Sequence, residues 1–152
     1  MTAVTGAMPG APDRLVGSLA EERELTRLEE LLVDRSGSGM WWSAMARRVE
    51  ATIDAIWADR AAPEGTMALH EEIKAEQPRL APVLARLEAD RLALVDEFTA
   101  LRMLVSQSVG ESGGVARVIA ATTEVIALFR SYQRRARAVV YDAYCVDLGV
   151  GG

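Results

Sequence analysis

Apolar residues recur at steps of three and four along four stretches of the chain, which is the spacing of one buried face on an α-helix. Segments rich in Gly, Pro or Ser separate these stretches, which cover residues 18–35, 40–60, 66–107 and 115–147. None of them shows the period of two that is typical of strands. The pattern therefore predicts an all-α protein, an up-and-down four-helix bundle with short connections.

Local signals refine the helix boundaries. Ser18 and Glu21 form an S-x-x-E capping box at the start of the first helix. Thr66 is the predicted N-cap of the third stretch. Pro78 and Pro82 interrupt that stretch, because proline lacks an amide donor and restrains the residue before it. We expect the third stretch to be either kinked or split near Pro78–Pro82.

The third stretch carries a charged residue on its apolar stripe. The stripe follows the steps of a bundle seam, through Leu80, Leu84, Leu87, Arg91, Leu94, Phe98, Leu101 and Val105. Arg91 stands in its middle. The same steps taken backwards from Leu80 reach Gln77, Ile73 and His70, provided that the prolines do not reset the helical phase.

The fourth stretch repeats this feature. Its stripe contains Ile119, Thr122, Ile126, Phe129, Gln133, Ala136, Val140 and Ala143. Thr122 and Gln133 are the polar members, and Tyr132 lies beside them. The sequence therefore predicts polar side chains from two helices inside the bundle.

A buried Arg91 would need a carboxylate or carbonyl groups within reach, since an unpaired buried charge is costly. The candidate carboxylates are Glu72, Glu76 and Asp90 nearby in the sequence, and Glu50, Asp54, Glu124 and Asp142 elsewhere. The alternative is that Arg91 extends its head to solvent and that Gln133 lies at the rim of its stripe.

Composition limits the class of protein. The chain has 152 residues, half of them apolar and 26% charged, which fits one globular domain at residues 13–147 between an arm at 1–12 and a tail at 148–152. The net charge of −5 argues against binding to nucleic acid or to anionic lipid. No apolar run reaches membrane-spanning length. A single cysteine, Cys145, suits the cytoplasm, and the excess of arginine over lysine is typical of a GC-rich bacterial genome.

Surface features give further hypotheses. The arginines at 130, 134, 135 and 137 form a basic segment, which we interpret as a solvated face paired with acidic neighbours such as residues 21–24 rather than as a nucleic-acid site. Trp41 and Trp42 cannot face the same way on a helix. We therefore predict that one of them plugs the core and that the other helps to form a homodimer, as Tyr141 and Tyr144 could do.

Several kinds of chemistry lack their motif. The segment "HEEIK" has Lys74 where a zinc protease needs its second histidine, and the chain contains no Glu-x-x-His pair. A site made of carboxylates alone could still hold Mg²⁺ or Mn²⁺. Cys145 near the end of the last helix is interpreted as an inert thiol.

Three segments resemble the haemerythrin-like, or HHE cation-binding, family over roughly residues 40–147. They are "LHEEIKAEQP", "RLEADRLALVDEF" and "FRSYQRRARAVVYDAY". The resemblance implies a four-helix bundle with iron between the helices. It places His70 at one ligand position, Arg91 where a second histidine is expected, and Tyr132 or Gln133 where another is expected.

The departures from the family pattern lead to the functional prediction. The family needs about five histidines, whereas this chain has only His70, and a cation at position 91 would repel a metal. We therefore expect a non-enzymatic bundle without cofactor, whose ligand-binding residues are His70, Glu72, Arg91, Tyr132 and Gln133 and whose partner is a protein or a small molecule.

Two other functions stay open. The first is a metalloprotein doing oxygen or redox chemistry, with iron held by His70, Glu72, Glu76 and Asp142. The second is a small-molecule enzyme that uses His70 as its general base.

Overall fold

The computed structural model describes residues 19–146. In this part of the chain, helices are the only regular secondary structure, and short segments connect them. The arm at 1–12, the tail at 148–152 and Ser18 of the proposed capping box lie outside the described residues. The α-helices are α1 (Leu19–Val33), α2 (Gly39–Ala61), α3 (Thr66–Glu76), α4 (Ala81–Ser108) and α5 (Gly114–Tyr141), followed by a π-helical turn, Asp142–Val146.

The four long helices form the predicted all-α bundle. Neighbours in the sequence are also neighbours in space, since α1 packs on α2, α2 on α4 and α4 on α5, while α5 closes the ring against α1. The connection at 34–38 and that at 109–113 are both short. Helix α3 is an additional short segment that packs at one end, against α2 and α4.

Capping and turn chemistry explains the helix starts. The Ser38 hydroxyl accepts a hydrogen bond from the Trp41 amide at 3.1 Å and so caps α2. The predicted cap at Thr66 is wrong by one residue: Gly65 is the N-cap of α3, and Thr66 is its first helical residue. Gly113, before α5, has a φ of 74°, a left-handed conformation that glycine adopts without a Cβ penalty.

The proline-containing segment splits the third stretch, as one of the two predicted alternatives required. Helix α3 ends at Glu76, and Gln77 leaves the helical region with φ −134° and ψ 78°. A single 3₁₀ turn, Pro78–Leu80, then leads into α4. The helical phase of the stripe is preserved across this break, as the burial of His70, Ile73 and Leu80 shows.

Every residue of the two predicted stripes is buried, which confirms the seams of α4 and α5. Most of the apolar ones form a single core with α1 and α2. A smaller core joins α3 to the ends of α4 and α5, and it consists of Leu69, Ile73, Leu80, Leu84, Val140 and Ala143.

The prediction of a tryptophan-based contact patch is wrong. Trp41 is 2% exposed and Trp42 is 9% exposed, and their rings meet edge to face with centroids 4.9 Å apart. The Trp41 indole also donates to the Leu31 carbonyl at 3.1 Å. Trp41 therefore fastens α1 to the start of α2, and both rings are too buried to offer much surface to a partner. Across residues 19–146, no helix combines the length and the apolar character needed to cross a membrane.

Candidate functional site: a buried arginine centre

The centre of the bundle contains a buried guanidinium. Arg91, on the inner stripe of α4, is only 1% exposed, so the alternative in which it extends to solvent is wrong. Its Nη2 donates to Glu21 Oε2 and, at 2.6 Å, to Asp59 Oδ2. Two carboxylates from two other helices therefore converge on one nitrogen.

The inner faces of α1 and α2 carry these carboxylates. Glu21, 0% exposed, lies one helical step before Leu25 on the buried face of α1. Asp59, 6% exposed, lies one step after Ile56 on the buried face of α2. Each acid therefore points at Arg91 for the same reason that its apolar neighbours point at the core.

Asp59 also starts the next helix. Its Oδ2 accepts a hydrogen bond from the Thr66 amide at 3.4 Å, which supplies α3 with a capping acceptor that Gly65 lacks. A Cβ at Gly65 would lie 1.9 Å from the Asp59 carbonyl oxygen, so only glycine allows the turn to close this tightly.

Tyr132 of α5 completes the ring of helices around the guanidinium. Its hydroxyl accepts from Arg91 Nη1 at 3.4 Å, and Arg91 Cζ lies 5.7 Å from the ring centroid, within cation–π range. Arg91 Nε is buried without a hydrogen-bond partner. One side chain on α4 thus contacts side chains from α1, α2 and α5.

The centre holds two carboxylates and one permanent cation. Burial alone would lower the pKa of Arg91, but Glu21, Tyr132 and Asp59 together raise it, so the guanidinium stays charged. Burial raises the pKa of Tyr132, against the opposing effect of Arg91, which keeps the phenol neutral at physiological pH.

His70 lies beside this centre as a neutral imidazole. Burial, and then the positive charge of Arg91, lowers the pKa of His70 to about 4, against the weaker opposing effects of Asp59 and Glu71. Its Nδ1 is buried without a hydrogen-bond partner. The ring borders a cavity of about 130 Å³ that Glu88 also lines, and Arg60 forms an ion pair with Glu88 at this edge.

Three of the five residues predicted from the sequence come together. Arg91 and Tyr132 are hydrogen-bonded, and His70 lies close enough for the charge of Arg91 to lower the pKa of the imidazole. Gln133 is also buried, and its Oε1 accepts from Arg130 at 3.2 Å. Glu72 is exposed on the outer face of α3, so it does not belong to the same site.

The prediction of carboxylate partners for Arg91 is wrong, because none of the candidates pairs with it. Three pair with other arginines: Glu50 with Arg102, Asp90 with Arg135 and Asp142 with Arg79. The other four are exposed, namely Asp54, Glu72, Glu76 and Glu124. The sequence reasoning missed Glu21 and Asp59, although both continue an apolar stripe by one step.

The buried donors do not fit a metal centre. Throughout the part of the chain that the structure describes, no three side chains of His, Cys, Asp or Glu converge as metal ligands. In particular, His70 is buried whereas Glu72 and Glu76 are exposed. One oxygen of each buried carboxylate, Glu21 Oε2 and Asp59 Oδ2, already binds the guanidinium.

A second ionic cluster lies on the surface of the bundle, between α1 and α5. Arg130 of α5 pairs with Glu22 at 2.8 Å and with Glu29 at 3.2 Å, both on α1. Glu22 belongs to the acidic run at 21–24, so this part of the basic segment does pair with the predicted neighbour. The Arg130 side chain is 29% exposed, and the two glutamates are more exposed still.

Comparisons with protein-family models, with curated proteins and with solved structures find no match to this chain. The resemblance to haemerythrin-like proteins therefore stays a prediction from three sequence segments.

Proposed function

We propose that this chain is a non-enzymatic helical bundle of the haemerythrin-like type, in which Arg91 stands in place of a metal, and that it acts by binding a protein partner or a small molecule. One observation carries the proposal: a guanidinium buried to 1% exposure binds carboxylates from α1 and α2. This is the task that a metal cation performs in a bundle of that type, joining acidic side chains from different helices.

Charge explains why the arginine and a metal exclude each other. A divalent ion beside Arg91 would meet a fixed positive charge in a medium of low dielectric constant. It would also have to displace Arg91 from Glu21 Oε2 and Asp59 Oδ2. The centre therefore holds the helices together without redox or Lewis-acid chemistry of its own.

Metal analysis of the purified protein tests this proposal. Protein from cells grown with added iron is expected to contain iron far below one atom per chain. The informative companion is Arg91→His, which removes the fixed cation and adds an imidazole near Glu21, Asp59 and His70. We expect this variant to take up more Fe²⁺ or Mn²⁺ than the wild type. Stoichiometric iron in the wild-type protein would remove the proposal.

The alternative of a His70-dependent enzyme has one observation in its favour, the cavity of about 130 Å³ beside the imidazole. A pKa of about 4 argues against it, because an efficient general base has a pKa near the working pH. The cavity is also smaller than ordinary small-molecule sites, which span several hundred cubic ångströms.

A further inference from the structure

A long groove follows the outer side of the α4–α5 pair. Three adjoining hollows of about 460, 210 and 320 Å³ make it up. Glu97 and Leu128 line both the first and the second hollow, and Arg135 lines both the second and the third. The groove therefore runs without a break along the two helices.

Small and apolar side chains form the walls of this groove. Alanines recur along both helices, at Ala93, Ala100, Ala121 and Ala138. Leu128 is 47% exposed in its middle, and Val83 is 36% exposed at one end. Walls of this kind admit the ridge of another helix, because short side chains let two backbones approach closely.

The groove is acidic towards one end and basic towards the other, and Glu97 and Arg135 also line the middle hollow. Glu97 and Glu124 line the first hollow, and neither has an ion-pair partner within residues 19–146. Arg86 and Arg135 line the third. Asp90 pairs with Arg135, whereas Arg86 has no such partner in the described chain. One end is thus acidic, and the other is basic.

The spacing of these charges is the same on both helices. Glu97 follows Arg86 by eleven positions on α4, and Arg135 follows Glu124 by eleven positions on α5, about 16 Å in each case. A two-fold axis through the middle hollow therefore places the acidic end of one copy on the basic end of the other. The surface is complementary to itself, as an isologous interface requires.

We infer that the α4–α5 groove is the contact surface for a second copy of this chain, bound antiparallel about a two-fold axis near Leu128. From Val83 to Leu104 the groove is about 30 Å long, and we estimate a buried area of roughly 600 Å² per copy. That is the lower range for specific interfaces. An interface of this size predicts a weak dimer whose population depends on concentration. Salt is expected to weaken it further, because the charges at the two ends are exposed and are screened.

Sedimentation equilibrium on the purified chain measures this association. The mass is expected to rise from that of the 16.4 kDa monomer towards twice that value with increasing concentration at low salt. High salt is expected to weaken the dimer. A chain that stays monomeric up to millimolar concentration overturns the inference and leaves the proposed function of Arg91 untouched, because the groove does not include that residue.

A charge exchange tests the geometry. One variant carries Glu97→Arg and Glu124→Arg, and the other carries Arg86→Glu and Arg135→Glu. Each alone brings like charges together across the two-fold axis, so its self-association is expected to weaken about tenfold or more. An equimolar mixture pairs a basic groove with an acidic one and is expected to dimerise again.

Matched controls separate this face from general effects of charge. Glu30→Arg with Asp54→Arg changes the net charge as the first variant does, on the exposed faces of α1 and α2, and should leave the dimer intact. Arg86→Glu alone avoids breaking the Arg135–Asp90 pair and should still weaken self-association. A dimer that neither exchange weakens uses another surface, and a mixture that fails to reassociate excludes the antiparallel arrangement; either result overturns the inference.

Discussion

Two ionic clusters that begin at adjacent residues help to fasten helix α1 to the rest of the bundle. Glu21 points inward to Arg91, where both side chains are at most 1% exposed. Glu22 points outward to Arg130, where the two side chains are 42% and 29% exposed. Each cluster joins an arginine to two carboxylates outside its own helix, and the main difference between them is the access of water.

That difference decides what each cluster contributes. The outer ions keep much of their hydration, so their net attraction is small and is screened by salt. The inner ions have lost their hydration, and only their attraction to one another offsets that loss. Removing one of them therefore leaves the others uncompensated. The inner centre therefore specifies how α1, α2, α4 and α5 fit together, whereas the outer cluster adds little to stability.

Replacing Arg91 should produce the largest effect. In Arg91→Met the carboxylates of Glu21 and Asp59 are left buried without a cation, and the expected loss is about 3–5 kcal/mol of unfolding free energy. Urea unfolding followed by circular dichroism measures it. Hydrogen exchange should show α1 opening first, since Glu21 is one of only three buried residues on that helix.

A neutral version of the centre is the control for this loss. Combining Arg91→Met with Glu21→Gln and Asp59→Asn removes all three charges, and Asn keeps an oxygen for the Thr66 amide. We expect this triple variant to recover most of the stability, because no uncompensated ion remains. If the triple variant were as unstable as Arg91→Met, then packing rather than charge would be the reason for the loss.

His70 should give an effect of intermediate size that depends on pH. The pKa of His70 is lowered from 6.5 to about 4 in the folded protein. Below pH 6.5 the imidazole therefore binds a proton in the unfolded chain but stays neutral in the folded chain. Stability from this group is therefore present above pH 6.5 and is lost as the pH falls towards 4. Between pH 7 and pH 5 the expected loss is about 2 kcal/mol, measured by urea unfolding at both values.

The His70→Gln variant separates this effect from the titration of carboxylates in the same range. It cannot take up a proton, so its stability should fall less steeply than that of the wild type between pH 7 and pH 5. Parallel pH profiles for the two proteins would mean that His70 titrates normally and that its burial carries no electrostatic penalty.

Periodicity predicted the fold and one half of the buried centre. The stripes of α4 and α5 placed Arg91 and Gln133 inside, and stepping back across Pro78 placed His70 on the same side; the structure buries all three. These predictions succeeded because a helix keeps its phase over many residues, and because the single 3₁₀ turn before Ala81 did not disturb it.

The sequence alone did not identify the partners of Arg91. Glu21 fits a capping box with Ser18, so a surface role accounted for it. Asp59 stands in the last turn of α2 and was not among the carboxylates considered as partners. Both nevertheless continue an apolar stripe, one step before Leu25 and one step after Ile56. Periodicity could therefore have identified them as buried, although pairing across helices needs the three-dimensional arrangement.

Arg130 should give the smallest effect, and it is the direct counterpart of Arg91. Arg130→Gln removes the outer pairs with Glu22 and Glu29, and the expected loss is about 0.2–1 kcal/mol. The loss should shrink further in high salt, because these ions are screened, whereas the loss in Arg91→Met should hardly change with salt. Urea unfolding of both variants at low and high salt measures the contrast. An Arg130→Gln variant that lost as much stability as Arg91→Met would mean that burial does not distinguish the two clusters and that α1 depends equally on both.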